Sequence, residues 1–237
     1  MERLSYSFAR KTELAYISHL DMMRLFLRAL RRSGLPIAYS QGYNPHPRLT
    51  LALPLPLGVT ASEEYGEVFF SEPLGPELFL EKLGRQLPPA LELTGAVIRK
   101  PDMPALAAEV SAAQYRVFIE TYINQGILFQ ELNDALNNLM NKEEVLMERK
   151  NKKKKAAYKN IRPYIFRANL EEKENQGLEL NLLLKAGSSG GVSPFFVIKQ
   201  LQAGSALKTA DKGLWQVHRQ KLYKGPPESL QPLSEGM

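Results

Sequence analysis

Leu4, Tyr6 and Phe8 alternate with Ser5, Ser7 and Ala9, the two-residue period of a half-buried strand. A polar turn over Lys11 to Glu13 follows, and the period lengthens. Ser18-His19-Leu20-Asp21 has the form of a capping box, with Ser18 as N-cap and Asp21 at the third helical position. It opens a helix that stops at Ser33-Gly34. At about 100° per residue, Leu20, Met22, Met23, Phe26, Leu27, Ala29 and Leu30 fill one half of that helix. Arg24, Arg28, Arg31 and Arg32 gather with Asp21 on the other half. His19 falls in the first turn, toward the apolar half.

The stretch Gln41-Gly42-Tyr43-Asn44-Pro45-His46-Pro47-Arg48 has no period. Gly42 allows positive φ, while Pro45 and Pro47 push Asn44 and His46 toward extended backbone, which predicts a stiff, exposed ribbon. Leu49 to Val59 starts as a strand, but Pro54 and Pro56 remove ladder donors, so its second half must be an edge or a loop. A strand over Gly66 to Ser71 comes next. Then follow a helix over Pro76 to Leu87, with Leu78, Phe79, Leu83 and Leu87 inward, and a strand over Leu91 to Lys100.

Residues 101–113 are small and weakly patterned, as a connection between domains would be. The same order of elements then returns. Gln114 to Tyr122 reads as a strand, and Gln125 to Asn141 as a helix burying Leu128, Leu132, Ala135, Leu136 and Leu139. Val145 to Arg149 and Ile161 to Asn169 are strands flanking a lysine run, and Leu178 to Lys185 is a further strand. Ser193-Pro194 is an N-cap with proline at the first helical position, opening a helix over Phe195 to Leu201. Leu214 to Tyr223 is the last strand, and a polar tail has little to bury.

These patterns predict an α+β protein made of tandem ferredoxin-like, split βαβ domains with antiparallel sheets. The first spans residues 1–104, a linker covers 105–113, the second spans 114–224 with a lysine-rich insertion, and residues 225–237 form a disordered tail.

The 237 residues are 44% hydrophobic and 24% charged, enough for two cores. No stretch is long and apolar enough for a membrane span, and the first residues lack a signal peptide's apolar centre, so a cytoplasmic protein is expected. Cysteine is absent, which excludes disulfides, thiolate nucleophiles, and cysteine-held zinc or iron–sulfur clusters in this chain. His19, His46 and His218 include no pair at helical metal-site spacing. The formal charge is +6, and eight Lys or Arg with no acid lie between residues 149 and 162, so the remainder is net negative. Such local basicity suits an anionic partner such as nucleic acid, and a solvated loop equally.

The candidate RNA contacts are Arg24, Arg28 and Arg31 on the helix, Tyr43, Asn44, His46 and Arg48 on the ribbon, and Lys152, Lys153, Lys154, Lys155 and Arg162 in the basic segment. Lys and Arg would pair with phosphates, and Tyr43 would stack on an unpaired base. The aromatic signature of common RNA-binding sheets is absent. An enzymatic alternative is a metal-independent ribonuclease or transferase with His46 and His19 as acid and base. A third reading is a protein-binding scaffold.

The segments Tyr16 to Arg24, Ala29 to Pro36, Gly42 to Arg48 and Leu55 to Val59 resemble the radical-SAM-linked protein family, a bacterial domain of unknown function. The likeness is strong over residues 1–120. Beyond them, Asn160-Ile161-Arg162-Pro163 is similar to that family's Asp-Ile-Arg-Pro stretch, with Asn160 where an acid is usual. Members are fused behind, or encoded beside, a radical-SAM protein with a cobalamin-type domain. The resemblance therefore implies a stand-alone form with no cofactor of its own, whose partner carries S-adenosylmethionine and the iron–sulfur cluster. It brings no known reaction and no catalytic residue with it. A weaker likeness of fold links the chain to the repeat-associated proteins that process CRISPR transcripts, although Gly187 to Gly191 does not match their glycine-rich signature.

Overall fold

The computed structural model describes residues 1–120, 124–150, 156–174, 177–205 and 214–235. In chain order the elements begin with β1 (Glu2–Arg10), a 3-10 turn (Thr12–Leu14), α1 (His19–Arg32), β2 (Leu49–Leu51) and β3 (Val59–Phe70). Next come α2 (Pro76–Gly84), β4 (Leu91–Arg99), α3 (Leu106–Glu109), β5 (Val110–Glu120) and α4 (Gln125–Asn141). The chain continues with β6 (Leu146–Lys150), β7 (Ala156–Asn160), β8 (Ile165–Lys173), β9 (Gly177–Lys185), α5 (Pro194–Gly204), β10 (Leu214–Lys224) and β11 (Gln231–Pro232). The architecture is α+β, on mostly antiparallel sheet. Two units divide it, Met1–Ser111 with His218–Met237, and Ala112–Val217.

In the first unit β1 lies between β4 and β3, Leu4 facing Ile98 on one side and Val68 on the other, and β2 pairs with β3 through Leu49 and Val68. α1 connects β1 to β2, and α2 connects β3 to β4. Their inner faces bury Met22, Phe26, Ala29 and Leu30, and Phe79 and Leu83, against Leu4, Tyr6, Phe8, Val68 and Phe70 of the sheet. The Tyr6 ring packs 5.4–5.9 Å from the rings of Phe8, Phe26 and Phe79. Gly66 faces Tyr6 across the ladder, and a Cβ there would run into that ring. Burial raises the Tyr6 phenol's pKa.

The N-cap is as the pattern predicts. The Asp21 amide donates to Ser18 Oγ at 3.1 Å, and the Ser18 hydroxyl donates to Asp21 Oδ2 at 2.7 Å. Two expectations on helix faces fail at the ends, where no neighbour covers them: Leu20 is 66% and Leu78 41% exposed.

Pro54 and Pro56 end β2 as expected, since neither has an amide hydrogen to continue a ladder. Their neighbourhood leaves carbonyls in need of donors, and two buried arginines supply them. Arg10 donates to Val59 O at 2.6 and 3.2 Å, to Ala15 O at 3.0 Å and to Pro56 O at 3.1 Å. Arg219 of β10 donates to Leu53 O at 3.1 Å and Pro54 O at 3.3 Å, and grips Glu64 side-on, Nε to Oε1 at 2.6 Å and Nη2 to Oε2. Burial lowers the Arg10 pKa, Glu64 opposing and Arg219 reinforcing the shift.

In the second unit β9 lies between β5 and β8. Leu178, Leu180, Leu182 and Leu184 alternate inward along β9, and α4 buries Leu128, Leu132, Ala135, Leu136 and Leu139. α5 starts at the Ser193 cap, whose hydroxyl accepts from the Phe195 amide at 3.3 Å.

The structure revises several boundaries. β1 is buried on both faces, Ser5 and Ser7 included. β3 starts at Val59 because its polar-looking Glu64 is neutralised by Arg219. Residues 105–113, expected as a linker, hold α3 and the start of β5 with Leu106 and Val110 buried. Ile161 is buried before a 3-10 turn (Arg162–Tyr164), so β8 begins at Ile165. The expected disordered tail contributes β11 beside β10, and Leu233 is 1% exposed.

Three outcomes follow from these contacts. Glu64→Ala strands the Arg219 charge in the interior and should cost about 3–5 kcal/mol, read as a shift of the urea midpoint; a change near zero would mean that water reaches the pair. Ser18→Ala should cost about 0.5–2 kcal/mol. The Asp21 carboxyl is held below its usual range, first by the Ser18 hydroxyl and then by Arg24. A carboxyl depressed in the folded state stabilises above its unfolded pKa of about 4 and loses that contribution as pH falls through the folded value. Asp21→Asn should therefore be less stable than wild type at pH 7, with the gap closing below about pH 4; a gap constant with pH would contradict the assignment.

Candidate functional site

The ribbon of residues 41–48 is closed at its base by backbone bonds. Ser40 N donates to His46 O, and Arg48 N to Ala38 O, each at 2.9 Å. Tyr39 bridges Pro47, which is buried, and Gly42 takes φ +121° at the tip. The Ser40 hydroxyl accepts from His46 N at 3.2 Å and sits 3.0 Å from His46 Nδ1. Those bonds orient the exposed imidazole, whose Nε2 has no partner among the described residues. Tyr43 and Asn44 are exposed, Tyr43 completely. Arg48 instead lies 3.9 Å over the Phe69 ring, with Nη1 3.0 Å from Met1 Sδ, and is half-buried. It braces the ribbon more than it extends from it.

On α1, Arg24, Arg28 and Arg31 are exposed. Arg24 donates to Asp21 at 2.9 Å, and Arg32 is engaged by Gln86 through side chain and backbone at 3.2 and 2.8 Å. His19 is half-buried and lines a small cavity with Arg10, Met22, Leu53 and Glu64, of about 10 Å³, room for about one water. Neither the cavity's lining nor the contacts of His46 bring the two histidines together.

Arg162, in the second unit, is turned inward. Its Nε and Nη2 donate to Met140 O at 2.9 and 2.7 Å, and Nη1 to Ile165 O at 2.9 Å. It thus caps the open carbonyl end of α4. Asn160 ties the base of the β6–β7 hairpin, its Oδ1 accepting from Val145 N and Arg162 N at 3.0 Å. Lys152, Lys153, Lys154 and Lys155 lie outside the described residues.

One constellation was not foreseen from the sequence. His218 on β10 has Thr60 Oγ1 2.8 Å from Nδ1 and Ser62 Oγ 2.6 Å from Nε2. A neutral imidazole donates through one nitrogen and accepts through the other, so two hydroxyls on one face of β3 hold the ring in register. The Thr-x-Ser alternation was readable, but its partner lies more than 150 residues on. Tyr16, Leu20 and Leu57 are also strongly exposed.

Among the described residues no group of three or more His, Cys, Asp or Glu could hold a metal ion, and no helix is long and apolar enough to cross a membrane. No curated protein matches the chain. Among solved structures, a chain of a Cbf5-Nop10-Gar1 complex is similar over 92% of this chain, with 8% identity and a TM-score of 0.45. The match covers 48% of that chain, so this chain spans about half its length. A putative glycine cleavage system transcriptional repressor matches over 94% of this chain and 98% of its own, with 10% identity and a TM-score of 0.23. Both scores are low. The family model described as an uncharacterized protein conserved in bacteria, DUF2344, matches residues 3–194, and the chain belongs to that family.

Proposed function

We propose that this chain is a cytoplasmic accessory protein that binds structured RNA, a transfer or ribosomal RNA, and presents it to a radical-SAM partner. The observation that carries the RNA reading is Tyr43, a completely exposed aromatic on a loop stiffened by two prolines and closed by backbone bonds. A rigid, exposed ring loses little entropy on stacking against an unpaired base. The exposed Arg24, Arg28 and Arg31 in the same unit supply charge for phosphates. The radical-SAM partner, as bearer of the cluster and S-adenosylmethionine, rests on the resemblance of residues 16–24, 29–36 and 42–48 to the radical-SAM-linked proteins.

The strand orders β4-β1-β3-β2 in the first unit and β5-β9-β8 in the second support reading both as ferredoxin-like. A scaffold role toward the same partner finds support in the exposed Tyr16, Leu20 and Leu57. The nuclease reading is not favoured, since His19 and His46 have separate surroundings.

The test is binding of a labelled transfer RNA across a salt series. Log affinity should fall linearly with log salt, and the Arg24→Ala, Arg28→Ala, Arg31→Ala triple variant should flatten the slope by up to about three contacts. Tyr43→Ala should weaken binding by about 1–3 kcal/mol while leaving the melting midpoint in place. Salt-independent or absent binding would sink the RNA reading. RNA cleavage by the isolated chain, lost in His46→Ala, would replace it with the nuclease.

A further inference from the structure

Segments of the second unit that are separate in sequence meet at Tyr164. Lys159 of β7 sets its Nζ 4.6 Å from the centre of that ring, and Lys185 at the end of β9 sets its Nζ 4.9 Å from the same centre. Arg167 of β8 faces Leu183, which stands two residues before Lys185 on the same face of β9. The turn after β9 folds back on this group: Val192 N donates to Lys185 O and Gly190 N to Gly187 O, each at 3.2 Å. Gly190 takes φ +104°, and a Cβ there would stand 3.4 Å from Lys159 Nζ and 3.8 Å from the Tyr164 hydroxyl. Glycine keeps that approach to the ammonium group open.

Among the described residues, none of these three cations makes an ion pair. Along that face of β9 and β8 the first acids are Glu179 and Glu171, which face each other further down the ladder and are held by Arg116 and Lys173. Glu148 of β6 pairs with Tyr158, so it lies on the other face of its hairpin from Lys159. Two ammonium groups on one ring repel each other; the quadrupole of the ring offsets part of that repulsion, and a bound anion would offset the rest. Both lysines are half-buried and Arg167 is exposed, so an anion has access to all three. Lys185 and Arg167 lie outside the basic run of residues 149–162, and the fold joins them to it at Lys159.

The geometry points to a binding site for the backbone phosphates of an RNA strand on the second unit, with Lys159, Lys185 and Arg167 as its cations. It rests on the RNA reading proposed above and adds to it a second set of contacts. Lysine ammonium groups act as point charges and accept phosphate oxygens from several directions. Tyr164 positions them and does not stack on a base, because its ring already carries both ammonium groups. The site therefore reads charge and not sequence. An RNA strand suits it better than an acidic peptide does, because Lys159 belongs to a run of eight Lys or Arg without an acid, and a backbone with a charge at every nucleotide can follow such a run.

The experiment is the salt series with labelled transfer RNA on the full chain, repeated with the Lys159→Gln, Lys185→Gln, Arg167→Gln triple variant. Glutamine removes the charge and keeps a stem against the ring. The slope should flatten by up to about three contacts, with affinity at low salt falling about tenfold or more and the melting midpoint unmoved. The single variants Lys159→Gln and Lys185→Gln, each worth about one contact, decide the matter if the triple variant melts early. Oligouridylate and oligoadenylate of equal length should lose affinity by the same factor. A wild-type slope kept in this variant but flattened by Arg24→Ala, Arg28→Ala, Arg31→Ala would overturn the second-unit site and leave the RNA reading standing. The reverse pattern would support this site and remove the first-unit arginines. Loss of binding to labelled polyglutamate, with RNA binding unchanged, would make the surface a dock for an acidic peptide instead. Absent or salt-independent RNA binding by the wild-type chain would overturn both.

Discussion

The contact on which the first unit depends is the grip of Arg219 on Glu64, together with the carbonyls that Arg219 and Arg10 satisfy. Two prolines two residues apart cannot continue a ladder, so the backbone from Leu53 to Pro56 leaves the sheet with its oxygens still in need of donors. Ordinary sheet pairing has no answer to that problem. Guanidinium groups do, because each carries several coplanar donors and stays charged when buried. Arg10 reaches Pro56, Val59 and Ala15, and Arg219 reaches Leu53 and Pro54. Glu64 then offsets part of the charge brought inside. A lysine at either place would offer three donors on one point and could not span the same oxygens.

That arrangement also explains which parts of the fold were legible in the sequence. α1, α4 and α5 could be read because their signals are local: Ser18 and Asp21 lie within one turn, and Ser193 immediately precedes Pro194. β9 could be read because four leucines repeat at period two. The start of β3 could not, since Glu63-Glu64 breaks the apolar pattern and its neutralising partner is 155 residues away. The C-terminal segment failed for the same reason: its composition is polar, but Leu233 bonds back to Leu222 and is buried there. In the candidate site, the stiffness and exposure of the ribbon followed from Gly42, Pro45 and Pro47, which act on their own backbone. The bracing role of Arg48 did not, because Phe69 comes to it through the fold.

Arginine is therefore a poor guide to nucleic acid when it is counted along the chain. Arg24, Arg28 and Arg31 project from α1, but Arg10, Arg99, Arg162 and Arg219 are spent on carbonyls and carboxylates of the fold. Arg162 lies in the basic segment, yet two of its donors end on Met140 O. The distinction is one of saturation. A guanidinium whose donors all end on protein oxygens has nothing left for a ligand, and one that is free in water is screened and mobile. Arg3 and Arg99 belong with the first kind, since Glu67 bridges their Nε groups at 3.6 Å each and Glu109 pairs with Arg99.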